Sequence, residues 1–322
     1  MVIEIENKEI NYSEFYKECK QLNNSNQKMD WDHLYTKYGF KTLESARGRW
    51  KNYRKKNGML PGMYQKDKLK ILHLSDFHFP YNVPIDTFSE YKNKVDLLVL
   101  NGDLQDCQAI SKFPKKYRVP FIDELVGTRE YVINLINLIN PKKVIINFGN
   151  HEIRLLNNLN DTHCEEIMSL MPKSSLSLIC ETGFWKYDHK NSSKTFYNSL
   201  IDVYKDKEII INYTDNWYCR VGKTIFAHPS AYRNGSLKTS EQAYLHFLQK
   251  GEELFDCLVL AHVHHQGFAR YGKTYLYEGG CLCEEMDYTD MRLSKPQSQG
   301  FLYMVQDDKG NFIYSESKMI CL

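Results

Sequence analysis

No long hydrophobic run exists in this chain: nowhere in its 322 residues does an apolar stretch reach the ~20 residues that a membrane-spanning helix requires. A charge excess is missing too. Lys and Arg number 42 against 40 Asp and Glu, a net charge of +2, so there is no global pull toward nucleic acid or a membrane surface, and any basic surface must be local. The opening residues Met1-Val2-Ile3-Glu4-Ile5-Glu6 lack a basic segment followed by an apolar core, so no secretory leader is expected. There is no internal repeat and no low-complexity segment. The cysteine count is nine, an odd number, and Cys180 and Cys257 sit inside apolar runs. That pattern reads as reduced thiols in a cytoplasmic protein rather than a disulfide framework. With 42% apolar and 25% charged residues the composition is that of an ordinary globular protein, long enough for one large domain and a small one.

What the chain does have is one device used several times. The apolar run Leu69-Lys70-Ile71-Leu72-His73-Leu74 reads as a buried strand and stops at Ser75-Asp76-Phe77-His78. Val95 to Asn101 leads into Gly102-Asp103, and Val144 to Phe148 leads into Gly149-Asn150-His151-Glu152. Thr224 to Ala227 leads into His228, and Asp256 to Ala261 leads into His262-Val263-His264. Polar residues just past buried strands occupy the place where open sheets carry their ligand sites. A set of Asp, Asn and His donors suits borderline divalent metals such as manganese, iron or zinc.

Taken in order, these five blocks resemble the calcineurin-like metallophosphoesterase family, whose pattern runs Asp-x-His, Gly-Asp, Gly-Asn-His-Asp/Glu, His, Gly-His-x-His. The resemblance spans roughly residues 69 to 285. One position departs: Ala261 stands where the family usually has Gly, the smallest available change, and it leaves both histidines in place.

The resemblance implies a fold and a site. The fold is α/β, a four-layer α/β/β/α sandwich of two mixed sheets. Asp76, His78 and His264 would hold one of two divalent ions, Asn150, His228 and His262 the other, and Asp103 would bridge them. Manganese is expected first, with iron, zinc or nickel as alternatives. His151 is not a metal ligand by resemblance; it would protonate the leaving oxygen or steady a nonbridging one. Glu152 would orient His151 or hold a helix start. Arg154 reads either as a phosphate contact or as a surface salt bridge. Cys281-Leu282-Cys283 is more simply two thiols near the active face than a soft metal site. His73 reads as a packed residue or one behind the ligands, and His265 as a neighbour of the last ligand.

Residues 1–62 read differently from 63–322. Ser13 is a candidate cap for a helix through Tyr16, Cys19 and Leu22. Trp31, Leu34, Tyr35 and Tyr38 recur at helical spacing up to Gly39, and a third helix runs from Thr42 to Lys56. Gly58, Pro61 and Gly62 supply a linker. Three short helices with a glycine turn before the last suggest a helix-turn-helix-like module. Its last helix carries Arg47, Arg49, Lys51, Arg54, Lys55 and Lys56 against Glu44, which fits contact with DNA phosphates or a plain solvated basic face. Ile110 to Pro120 is basic and aromatic, with Lys112, Lys115, Lys116 and Arg118 beside Phe113 and Tyr117, a rim for an anionic substrate or an ordinary loop. The segment 160–207, with Phe184-Trp185-Lys186-Tyr187-Asp188, is expected to be a cap or substrate-selecting insertion.

These features together predict a dinuclear metal-dependent phosphoesterase that uses an activated water. A phosphodiesterase or nuclease on DNA or nucleotides is the leading reading, and the layout is similar to phosphoesterases of phages and prophages. The alternative is a phosphomonoesterase acting on protein or small molecules. The protein-phosphatase branch follows its Gly-Asp block with Asp-Arg-Gly, whereas here Asp106 is followed by Cys107-Gln108. A DNA-binding protein with a non-catalytic metal site is the third reading. No membrane partner is expected.

Overall fold

The computed structural model describes residues 10–24, 29–57, 68–112, 118–160, 170–233, 235–285 and 297–322. The chain divides into two compact units, Met1–Asp67 and Lys68–Leu322. The expected linker at Gly58, Pro61 and Gly62, the 62/63 boundary, the middle of the basic rim (113–117) and His163 all lie outside the described residues.

The first unit contains α1 (Tyr12–Asn24), α2 (Trp31–Lys37) and α3 (Leu43–Lys56). The cap of α1 is Asn11, whose side chain accepts from Glu14 N at 3.2 Å; Ser13, the expected cap, lies inside the helix. Asp30 caps α2, and Thr42 caps α3 through a reciprocal box with Ser45. Gly39 ends the second helix with φ +70°. Phe15, Leu34, Phe40, Ala46 and Trp50 form the core of this unit, and Tyr16 stacks on Tyr53 at 4.1 Å. Within the helices the core-facing positions recur at three- and four-residue steps, Phe15, Cys19 and Leu22 in α1 and Ala46, Trp50 and Tyr53 in α3, so each helix turns one face to the common core.

In the second unit thirteen strands are described: β1 (Leu69–Leu74), β2 (Leu97–Asn101), β3 (Lys143–Asn147), β4 (Phe184–Asp188), β5 (Ser193–Tyr197), β6 (Ile210–Tyr213), β7 (Tyr218–Val221), β8 (Thr224–Ala227), β9 (Cys257–Leu260), β10 (Gln266–Tyr271), β11 (Thr274–Gly279), β12 (Gly300–Gln306) and β13 (Lys318–Cys321). The helices are α4 (Phe121–Ile139), α5 (Arg154–Asn160), α6 (Leu200–Tyr204) and α7 (Lys238–Gln249). One sheet has the order β13-β12-β1-β2-β3-β6, the other β10-β11-β9-β8-β7, and β4-β5 is a separate hairpin. β1, β2, β3 and β6 are mutually parallel, as are β8, β9 and β11; antiparallel strands flank both sets.

Strand alternation assigns each residue to a layer. Ile71, Leu97, Val99 and Ile145 of the first sheet meet Phe226, Cys257, Val259 and Tyr277 of the second. Their neighbours Leu72, Leu98 and Val144 turn the other way, against Val132, Leu135 and Ile139 of α4. On the far face of the second sheet, Ile225, Leu258 and Leu276 pack on Ala243 and Phe247 of α7. The result is the four-layer α/β/β/α sandwich, and both sheets are apolar on two faces because both are covered.

Several local expectations differ from what is found. Ile85–Tyr91 is a 3-10 helix. After β12, Phe312 makes one bridge to Gln306 and Tyr314–Glu316 forms a 3-10 turn; the strand that closes the sheet is β13. β10 has no counterpart among the expected strands; its residues are only half covered, so it lacks a sustained apolar run. The aromatic insertion folds as the β4–β5 hairpin, with Trp185 opposite Phe196. Among the described residues no helix is long and apolar enough to cross a membrane.

Phe226 lies fully buried between the sheets and stacks on His73 at 5.5 Å. Phe226→Ala is expected to cost about 3–5 kcal/mol of stability, read as a lower denaturant midpoint; an unchanged midpoint would contradict the two-sheet core.

Candidate metal centre

The polar blocks leave their strands at one end of the two sheets. Each turns sharply, and the backbone shows it. Asp76 (φ +56°), His78 (+47°), Asp103 (+51°), His262 (+79°) and His264 (+56°) all lie in the left-handed region. Non-glycine residues reach that region at a cost that the surroundings must impose, and such strain concentrates at functional sites. The glycines of the blocks have a steric reason. A Cβ on Gly102 would come within 2.6 Å of both Gly149 N and His228 Nδ1, and one on Gly149 within 2.2 Å of Asp103 Oδ1. Only bare backbone lets these two turns touch.

The side chains converge. His78 Nε2 and His264 Nε2 are 2.9 Å apart, and Asp76 Oδ1 lies 3.3 Å from His264 Nε2. Asp103 Oδ2 lies 3.2 Å from His228 Nε2, 3.7 Å from His78 Nε2 and 3.8 Å from His151 Nε2. Asn150 Oδ1 lies 3.3 Å from His228 Nε2. Three groups gather donor atoms within 4.8 Å of one another: His78, Asp103 and His151; Asp103, His228 and His262; His78, His264 and Cys283. Asp103 is common to two of them. All seven residues expected as ligands therefore reach the same neighbourhood.

The histidines are oriented by their other ring nitrogen. His228 Nδ1 donates to Asn101 O at 2.7 Å, which aims Nε2 at the cluster. His264 Nδ1 pairs with the Gln297 side-chain amide. Burial pushes His78 down to about 4, reinforced by His151. Burial alone would do the same to His228, but Asp103 and Asp76 reverse it and raise it to about 10. Burial opposes ionisation of Asp103 as well, yet the imidazoles of His228 and His151 hold it well below the carboxylate range.

These features fit a divalent cation. Asp103 Oδ2 is buried and has no hydrogen-bond partner. A carboxylate oxygen enclosed among three imidazole nitrogens is a costly arrangement unless a cation joins them. Oxygen and imidazole donors in this mixture are the ones manganese, iron and zinc accept.

Three carboxylates behind the cluster were less legible in sequence. Asp106 is buried, with Oδ1 3.2 Å from His151 Nδ1 and 3.6 Å from His78 Nδ1. Glu124, from the first turn of α4, accepts from the amides of Cys107 and Gln108. Glu152 accepts from Gly149 N at 2.7 Å, Asp103 N at 3.0 Å, Leu104 N at 2.6 Å and Gln105 N at 3.1 Å. Its carboxylate makes no contact with the His151 ring; it ties the Gly149 turn to the Asp103 turn. Burial, helped by Asp103, raises it to about 7.

His151 donates Nδ1–H to Asp106 O at 3.0 Å, so its Nε2 accepts from Arg154 at 2.7 Å. Arg154 also donates to Asp106 O at 2.8 Å, so it is not a free surface charge. α5 begins at Arg154, one turn later than the Asn150–Glu152 block. Arg118 of the expected rim donates to Gln108 O and Ala109 O. His73 is buried with Nε2 accepting from Asn101 at 3.0 Å, and burial draws it down to about 3; it packs behind the site. His265 pairs with Glu278 at 2.9 Å. A cavity of about 280 Å3 opens beside the cluster, lined by Phe148, Asn150, Trp217, His228, Gln242 and His246 among others.

A sequence model described as calcineurin-like phosphoesterase matches residues 69–266. No curated protein matches the chain. Among solved structures it is similar to vacuolar protein sorting 29 from Cryptosporidium parvum, with 13% identity over 79% of this chain and 98% of that one, at a TM-score of 0.38. It is similar to a novel archaeal phosphodiesterase, with 16% identity over 79% and 100%, at a TM-score of 0.35. It is also similar to wild-type Vps29 complexed with zinc from Entamoeba histolytica, with 9% identity over 79% and 98%, at a TM-score of 0.37.

Glu152→Gln replaces one acceptor oxygen with an NH2 that faces backbone amides. Metal affinity measured by calorimetry is expected to fall about 10–100-fold, as for other groups that orient ligands. Unchanged affinity would show that Glu152 does not set the ligand geometry.

Proposed function

The chain belongs to the calcineurin-like phosphoesterase family, and on that premise we propose that it is a dinuclear metal-dependent hydrolase of phosphodiesters, acting on DNA or nucleotides. Asp76, His78 and His264 would hold one ion and Asn150, His228 and His262 the other, with Asp103 shared between the two sets. The observation that carries this reading is the Asp103 carboxylate: buried, with an unpartnered oxygen, and common to two donor groups. When bound, a pair of divalent ions lowers the pKa of a water and offsets charge on the phosphoryl oxygens.

The chain's own residues do the rest. Asp106 fixes His151 through its carbonyl at Nδ1, so Nε2 is the ring atom that would exchange a proton with the leaving oxygen once Arg154 turns from it to a phosphoryl oxygen. Arg154, fixed by the same carbonyl, sets a guanidinium beside that atom, where its geometry suits a phosphoryl oxygen. Glu152 positions rather than reacts. The aromatic walls of the cavity, Phe148 and Trp217, next to Asn150 and His228, favour an ester bearing a flat ring such as a nucleobase.

The N-terminal unit would bind DNA in helix-turn-helix fashion through α3. Three of its cations are engaged by aromatic faces: Arg47 over Trp31 at 5.9 Å, Arg49 over Tyr12 at 5.2 Å and Arg54 over Trp50 at 5.9 Å. Lys51, Lys55 and Lys56 are exposed and supply charge for phosphates.

The enzymatic test compares bis-p-nitrophenyl phosphate with p-nitrophenyl phosphate after manganese is added to metal-stripped protein. Faster turnover of the diester is expected, and Asp103→Asn should abolish it; monoester preference would replace the reading with a phosphomonoesterase. Replacing Lys51, Lys55 and Lys56 together with Ala should weaken duplex binding and flatten its dependence on log salt by about 0.9 for each phosphate no longer neutralised. An identical slope would remove α3 from the DNA interface.

A further inference from the structure

The segment Cys281–Cys283 runs against the loop that carries Asp76 and His78. Leu282 N donates to Asp76 O at 3.0 Å, Val83 N to Leu282 O at 2.9 Å and Glu284 N to Tyr81 O at 2.9 Å. Gln299 Nε2 holds the Cys283 carbonyl at 2.8 Å, and Cys283 bridges to Asn82. An extended chain sends alternate side chains to opposite sides. Leu282 accordingly enters the core with Leu72 and Leu74, while Cys281 and Cys283 form a small cluster of their own on the other side, with Tyr81 packed on it. Both thiols are fully buried.

Cys283 Sγ lies with His78 and His264 in a group whose donor atoms are all within 4.8 Å of one another. One ion bound at ~2.0 Å to imidazole and ~2.3 Å to sulfur would bring such donors to within ~4.3 Å, so only a small closure separates this arrangement from ligation. The Cys281 thiol donates to Ser298 O at 3.8 Å and packs beside Cys283, which gives the second sulfur a fixed neighbour.

We propose that Cys283 is a sulfur ligand to the ion held by Asp76, His78 and His264. The inference rests on the metal reading of those three residues. It adds something that their donor set does not contain: a soft donor. Thiolate draws a site toward zinc, cobalt or iron and away from manganese. The first site thus differs in metal choice from the second, whose donors are imidazole, amide and carboxylate, and manganese is no longer the expected occupant of both.

The test is optical and needs no turnover. Metal-stripped full-length protein is titrated with cobalt(II) under reducing conditions. A sulfur-to-cobalt charge-transfer band in the near ultraviolet is expected, present in Cys281→Ser and absent in both Cys283→Ser and Cys283→Ala. The same Cys283 variants should bind zinc at least ~10-fold more weakly, since even groups that only orient a ligand cost that much, while manganese affinity changes less. Visible cobalt bands without charge transfer would overturn sulfur ligation and leave the metal site standing. A band that survives both Cys283 variants would assign it to another thiol and also overturn the proposal. No cobalt uptake at all would overturn the metal reading itself.

Discussion

Charge enclosed away from solvent is the condition this structure is arranged to satisfy. Asp76, Asp103 and Asp106 are almost fully enclosed together with His78, His151, His228 and His264. Removing that many ionisable groups from solvent is expensive for each of them, and the mutual contacts settle only part of it. Asp103 Oδ2 is left over. A divalent cation would resolve the imbalance, because it can take lone pairs from carboxylate and imidazole together. Such an ion would then stabilise the fold as well as serve the chemistry.

Holding such a cluster needs rigid ends. The sheets supply them: β1, β2 and β3 are parallel neighbours, so the turns that follow them emerge side by side. The left-handed residues at Asp76, His78 and Asp103 fold each turn back over its strand. Glu152 and Glu124 then occupy the amides of the loop from Asp103 to Gln108, so that the loop presents side chains to the cluster and its N–H groups to two enclosed carboxylates. The strain of the turns and the cost of enclosing the glutamates sit on opposite sides of one loop, and each makes the other tenable.

That division separates what is legible in the sequence from what is not. The ligands are legible because each ends an apolar run, and a short buried run that stops at Asp, Asn or His marks a strand opening onto a polar site. The layers are legible for the same reason, since Ile71, Leu72, Leu98 and Val99 alternate between two covered faces. Glu124 is not legible: an acid in the first turn of a helix ordinarily answers the helix dipole at the surface, and only the fold turns this one inward against Cys107 and Gln108. Glu152 reads as a partner for the His151 ring or as the holder of a helix start, while the turn directs its carboxylate to four amides. β10 and β13 escape a sequence reading because edge strands with half-exposed residues lack an apolar run. Asn11 rather than Ser13 caps the first helix; both residue types are good caps, and which of them takes the role depends on where the helix begins.

The two halves of the centre are unequal, and the inequality bears on how a substrate meets it. Around His78 and His264 everything is enclosed: the neighbours are Asp76, Asp106 and the paired thiols of Cys281 and Cys283. Around His228 the cluster includes Asn150 and His262, which are partly open, and the cavity walled by Phe148 and Trp217 begins there. An enclosed site with a sulfur within reach favours an ion that is held and seldom exchanged. A half-open site of oxygen and nitrogen donors leaves room for an ester oxygen to enter. The leaving-group side would then be defined by His151 and Arg154, which share the Asp106 carbonyl and stand within hydrogen-bond reach of each other. The geometry thus orders the centre from a closed end through the Asp103 carboxylate to an open one, and the open end is where differences between esters can be read.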